Sequence, residues 1–241
     1  MEFIFNKKSP RWKEINSVTD WINSFQTSTK NEKGHSALSL AEFCKKQDFE
    51  KQVKAWLNPI ITTNDYNLLT AQPEKSSRFD TYSKQRIHDL AINGCTDDGR
   101  TIFIGVEAKV NETYNSTLSK VYHKAKEDLK HGKKTNIPQR IEKLISDLFP
   151  KITIESPVRY QLLYAIAGTL CENCDYNVLL FLTFKTNIYN ENAAKRNKND
   201  LKAVLKYINY ETVSDTDSYY ICHFGERNLF IIEKTIDFHP D

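Results

Sequence analysis

The stretch TIFIGVEAKV, Thr101 to Val110, carries an unbroken apolar stripe on one side and two charges on the other. Alternate residues of a strand point to opposite faces. Ile102, Ile104, Val106, Ala108 and Val110 therefore share one face, and Thr101, Phe103, Gly105, Glu107 and Lys109 share the other. An unpaired charge on a buried strand is costly, so any fold must supply partners for Glu107 and Lys109. Gly105, beside them, leaves room for something to approach the backbone. Upstream, RIHDLAI reads as a strand and NGCTDDGR has strong turn chemistry. Folding that strand back about Asp97–Asp98–Gly99 sets Asp89 opposite Glu107. Directly opposed residues share a sheet face, with Cβ atoms about 4.5–5.5 Å apart.

Two carboxylates that close repel each other, and one takes up a proton unless a cation neutralises the pair. Magnesium prefers oxygen-rich sites with one or two carboxylates and several waters. A lysine beside such an ion can orient or deprotonate a water, or stabilise negative charge building on a phosphate. Asp89, Glu107 and Lys109 thus suit metal-assisted hydrolysis of a phosphodiester. They would equally serve as a salt-bridge network holding a hairpin together, and spacing alone leaves both readings open.

The rest of the chain frames this hairpin. Residues 1–30 read as a peripheral N-terminal extension, in which Pro10 opens a short helix carrying Trp12, Ile15, Val18 and Trp21. Ser36 suits the N-cap of a helix over ALSLAEFCKK, and Asp48 that of a second over FEKQVKAWLN. Residues 58–84 are polar and turn-rich and read as an irregular connection with at most one short strand. After the hairpin come a helix from about Ser116 to His131, another opened by Pro138, and an apolar one in SPVRYQLLYAIAGTLCENC. YNVLLFLTF reads as a strand buried on both faces. A basic helix around Ala194–Ile208 and the strands YYICHF and NLFIIEKTI close the chain. The order predicts a single α/β (α+β) domain spanning residues 1–241.

Net charge is +3, from 34 basic and 31 acidic residues, so bulk charge implies no polyanionic partner. Clustering is more informative. Lys120, His123, Lys124 and Lys130 lie in the basic segment KVYHKAKEDLKHGKK, where positions 120, 123, 124 and 127 share a helical face. That face is either solvated or suited to phosphate. No apolar run approaches the ~20 residues of a membrane span, and the amino terminus carries no secretory h-region, so a cytoplasmic location is expected. Five cysteines without regular spacing fit a reducing compartment. Cys171 and Cys174 form a lone CENC with no second ligand pair for zinc, and read as inert thiols near a helix end.

The pattern resembles the PD-(D/E)XK nuclease superfamily, the fold of many restriction endonucleases. HDLAI, with Asp89, and GVEAKV, with Glu107-Ala108-Lys109 as the ExK element, carry the resemblance. His88 stands where a proline often precedes the acid. PVRYQLLYAIAGTL and GHSALSLAEF extend it over roughly residues 35–210, towards a little-characterised bacterial group. The resemblance implies an α-β-β-β-α-β core with a mixed central sheet flanked by helices. It implies Mg²⁺, or Mn²⁺ in its place, held by Asp89, Glu107 and the carbonyl of Ala108, with Lys109 positioning or activating the attacking water. It further implies a glutamate from the first core helix, for which Glu42 is the candidate with Glu50 behind it. A glutamine or basic residue on a later helix is matched by Gln161, with Arg159 or Tyr160 beside it. Glu112 is a candidate supporting acid, and His88 is expected on the strand face opposite Asp89. The implied activity is DNA hydrolysis, RNA not being excluded, in restriction, phage defence or repair. A homodimer or a partner subunit fits such look-alikes. The alternative is a nuclease fold without turnover that binds nucleic acid or a protein.

Overall fold

The hairpin expected around Gly99 is present in the computed structural model, which describes residues 1–5, 13–24, 35–63, 65–83, 85–213 and 218–239. The chain opens with β1 (Glu2–Phe5), β2 (Lys13–Glu14), α1 (Val18–Ser24), α2 (Ser36–Cys44) and α3 (Phe49–Leu57). Its central part is β3 (Tyr66–Ser77), β4 (Arg86–Thr96), β5 (Thr101–Lys109), α4 (Leu118–Lys130), α5 (Ile137–Leu148) and α6 (Tyr160–Leu170). It ends with β6 (Tyr176–Lys185), α7 (Glu191–Leu205), β7 (Asn209–Thr212), β8 (Tyr219–Phe224) and β9 (Arg227–Asp237).

Among the described residues the strands form one mixed sheet in the order β2-β1-β3-β4-β5-β6-β9-β8-β7. β3, β4 and β5 run antiparallel in succession, and β6 lies parallel to β5 on its other side. The architecture is mixed α/β, with helices on both faces of the sheet. Trp21, Phe43, Phe49 and Val53 from α1–α3 pack with Ile102, Ile104, Val106, Ala108 and Val110 on one face. Ile141, Leu162, Ile166 and Leu201 from α5–α7 pack with Leu179, Phe181 and Ile231 on the other. β6 is buried along almost its whole length, as expected of a strand covered on both faces. Each such fully buried Val, Leu or Phe contributes about 1.5–3 kcal/mol of transfer free energy.

The β4–β5 register follows from the turn. Gly99 adopts a φ of 84°, a left-handed conformation that glycine takes at no steric cost, and its N–H donates to the Thr96 carbonyl. The pairs Cys95↔Thr101 through Leu90↔Val106 are those the sequence implies.

Two expectations are revised. The stretch read as irregular contains β3, a twelve-residue strand whose signal is masked by Pro73 and by polar residues. Beyond its short contact with β1 at Thr70 and Ala71 this strand is a sheet edge, where proline is tolerated. The opening segment, expected at the periphery, adds β1 and β2 to that edge and buries Ile15 and Trp21 in the core. Pro10 and Trp12 lie outside the described residues.

β3 and β4 also change face together. Ala71, Leu90 and Ile92 belong to the α2–α3 side. One rung further on, Lys75 lies over the Phe103 ring, and His88 packs against Phe103, both on the α6 side. The alternation slips where Glu74, at φ 52°, stands beside Asp89. His88 therefore shares the face of Gly105 and Glu107 and not that of Leu90 and Ile92, which strict alternation would give it, and its imidazole fills the space that Gly105 leaves open.

A Cβ at position 105 would sit 2.6 Å from His88 Nδ1 and 3.0 Å from Thr169 Oγ1. Gly105→Ala is expected to cost about 1–3 kcal/mol in urea denaturation through overpacking. The same change in a His88→Ala background is expected to cost little, which a double-mutant cycle measures.

Candidate active site

Past the Leu90↔Val106 pair the two strands no longer exchange backbone hydrogen bonds. Asp89 fills the gap: its Oδ2 accepts the Ala108 N–H at 2.8 Å. Glu107, only 2% exposed, is the hub of the group. Its Oε1 accepts Lys109 Nζ at 2.5 Å and Gln161 Nε2 at 2.6 Å. Its Oε2 accepts Nη2 of Arg86, a residue sequence reasoning did not single out. Gln161 uses its other end to accept the Asn115 N–H at 3.1 Å, so its amide spans from α6 to the loop after β5. The Arg86 guanidinium lies 5.3 Å from the Tyr164 ring and its stem crosses Gly168, where any Cβ would meet it at 2.5 Å. Lys109 lies over Tyr114, 5.5 Å from the ring centre.

These residues open into a cleft of about 370 Å³, lined by Asp89, Glu107, Ala108, Lys109, Arg86 and Gln161. Glu74, Glu112 and the first turn of α2 (His35, Ser36, Ala37) complete its wall. A smaller cavity of about 190 Å³ lies beside Leu144 and Leu170. Its acids are already paired, Asp80 with Arg140 at 2.6 Å and Asp147 with Lys143 at 2.7 Å.

The charges in the cleft are uneven. Burial alone would raise the Glu107 carboxyl, but Lys109 and Arg86 outweigh it and bring the group down to about 2. Asp89 moves the other way: burial and the Glu107 charge push it up to about 6, against the pull of Lys109, Arg86 and the Ala108 N–H. Burial disfavours the Lys109 ammonium, yet Glu107 and Asp89 overcome this and raise its pKa. Lys109 is thus a cation and a hydrogen-bond donor. His88 stays neutral, held well below the usual histidine range by burial and by the charges of Arg86 and Lys75.

Of the remaining candidates, Glu112 alone lines the cleft. Glu42 is half-buried on α2, whose contribution to the cleft comes from its first turn. Glu50 pairs with the amino terminus at 2.9 Å. Glu112 Oε2 accepts the Val110 and Asn111 N–H groups, each at 3.0 Å, and holds the turn leaving β5. Arg159 pairs with Asp200 at 2.9 Å, and Tyr160 packs on Tyr164. Lys120, His123, Lys124 and Lys130 are exposed on α4 and do not line the cleft. His123 meets Glu155 at 2.8 Å and Lys130 meets Glu127 at 3.4 Å, so part of that basic face is neutralised. Cys171 and Cys174 are free, and burial pushes Cys171 up to about 11, which leaves it unreactive as a thiolate.

Among the described residues no group of three or more His, Cys, Asp or Glu side chains is arranged to hold a metal. Besides Glu74 and Glu112 of its wall, the cleft offers the carboxylates of Asp89 and Glu107 beside the Ala108 backbone, all hard oxygen donors. Magnesium, which keeps several waters and takes only one or two carboxylates, suits that set. Asp89, raised to about 6, is a carboxylate short of positive charge.

Among the described residues no helix is long and apolar enough to cross a membrane. A family model, described as a domain of unknown function (DUF6946), matches residues 14–237. No curated protein and no solved structure matches the chain.

The raised Asp89 carboxyl has a sign that can be checked. Between its ordinary 3.8 and about 6 the folded state holds a proton that the unfolded state has lost. Stability from this group is therefore full below about pH 4 and is lost as pH rises through about 6. In metal-free buffer Asp89→Asn is expected to exceed the wild type by about 1–3 kcal/mol at pH 8. That advantage should shrink as pH falls from 6 to 4, as read by urea denaturation along a pH series.

Proposed function

The chain belongs to the DUF6946 family, and we propose that it is a divalent-cation-dependent nuclease that hydrolyses phosphodiester bonds of DNA. One observation carries the reading. Asp89, Glu107, Lys109 and Gln161 converge on one cleft where β4 and β5 separate, and they leave one carboxylate undercharged. The order of elements supports it. Helices α2 and α3 precede three antiparallel strands, α6 precedes β6, and β6 is parallel to β5, as in an α-β-β-β-α-β restriction-endonuclease-like core.

In this reading the carboxylates of Asp89 and Glu107 and the carbonyl of Ala108 would hold Mg²⁺ or Mn²⁺. Such an ion supplies Lewis-acid polarisation of the phosphate and a more acidic water. The residues of the chain do the rest. Lys109, kept in its ammonium form, donates hydrogen bonds, so it orients the water or stabilises phosphate charge instead of accepting a proton. Gln161 fixes the Glu107 carboxylate from behind. The first turn of α2 presents a helix N-terminus to the cleft, an arrangement favourable to anions. Lys120, His123, Lys124 and Lys130 would contact backbone phosphates outside the cleft, without reading sequence. The five free cysteines fit a reducing, cytoplasmic setting.

A second reading is favoured by one observation: Glu107 is already neutralised by Arg86 and Lys109. A nuclease fold that binds nucleic acid or a protein partner without turnover would have this appearance.

Plasmid, single-stranded DNA and RNA incubated with Mg²⁺, Mn²⁺ or EDTA separate the two. The nuclease reading expects cleavage with either metal and none in EDTA. Asp89→Ala, Glu107→Ala and Lys109→Ala are each expected to lose about a hundredfold or more in rate. Cleavage that persists in EDTA, or Lys109→Ala cutting as fast as wild type, would sink it. Binding without cleavage by the wild type supports the second reading.

A further inference from the structure

The Arg86 side chain is 4% exposed, and it sits on the carboxylate a divalent ion would need. Lys109 and Gln161 share Oε1 of Glu107, while Oε2 is taken by the guanidinium. That guanidinium is attracted by Asp89 as well as by Glu107, so it responds to both members of the carboxylate pair. It is held by more than charge, because its stem fits the groove that Gly168 leaves open and its guanidinium carbon lies over the Tyr164 ring. Its Nε–H is buried with no hydrogen-bond partner among the described residues. Nothing about holding a hairpin together requires two cations on one carboxylate, since Lys109 already pairs with Glu107.

Resting on the metal-dependent reading above, we infer that Arg86 is a built-in competitor for Glu107, which sets the divalent-cation concentration at which the site loads. A cation approaching the two carboxylates meets the guanidinium's positive charge and must displace it from Oε2, or share that oxygen with it. Arg86 is in this sense a positioning residue. It keeps Glu107 ionised and fixed in the metal-free protein, at the expense of metal affinity.

The test is Mn²⁺ binding to the full chain by isothermal titration calorimetry, with no nucleic acid present. Arg86→Met removes the charge and keeps an unbranched stem, and it is expected to bind Mn²⁺ at least about tenfold more tightly than the wild type. Arg86→Lys keeps the charge and is expected to stay within about threefold of the wild type. Glu107→Gln should abolish binding in either background. A measurement on the unaltered protein covers the case in which Arg86→Met does not fold. The buried Arg86 Nε–H should give a ¹⁵N resonance that shifts on Mg²⁺ addition as the guanidinium leaves Glu107. Wild type and Arg86→Met binding Mn²⁺ equally would overturn the inference and leave the metal reading standing. So would an Arg86 resonance unmoved by Mg²⁺ that calorimetry shows to bind, or an equal tightening in Arg86→Lys. No Mn²⁺ binding by the wild type or by a folded Arg86→Met would overturn the metal reading itself.

Discussion

A single buried carboxylate organises this protein. Glu107 lies on a strand that is covered on both sides, where an isolated negative charge would be intolerable. Its side-chain partners come from three elements: the cations Arg86, from the start of β4, and Lys109, from the end of β5, and the amide of Gln161, from α6. The sheet and the helix layer are thus tied by polar bonds at the very point where β4 and β5 separate. Removing one partner of a buried pair costs about 3–5 kcal/mol because the other is left uncompensated. The site and the fold therefore share their most constrained residues.

The uneven ionisation in the cleft follows from how those partners are shared. Arg86 and Lys109 both bond to Glu107, whereas among the described residues Asp89 receives a backbone N–H alone. One acid is thereby fixed in its charged form, while the other is pushed up to about 6, above the usual carboxylate range. Two acids set apart in this way are common at catalytic centres, where their environments divide the roles between them.

Much of this was legible in the residues themselves. The two-residue period of Thr101–Val110 exposes the division between an apolar face and a charged one, and the Asp-Asp-Gly turn places Asp89 near Glu107. Gln161 was legible as a polar side chain in an apolar helix that needs a partner. Arg86 was not, because an arginine at the start of a strand is ordinarily solvated, and only α6 packing over Gly168 buries it. β3 was hidden for a different reason. Its outer half is a polar edge carrying Pro73, so it shows neither clean alternation nor a continuous apolar run. The side of β4 on which His88 lies depends on a slip in the alternation beside Glu74, and no local pattern marks it.

That slip divides the β3–β4 ribbon into two segments with independent allegiances. On the turn side its side chains answer to α2 and α3, and on the far side they answer to α6. The rung between Glu74 and Asp89 is where the ribbon changes sides, so the Asp89 carboxylate stands at the seam between the two helix layers.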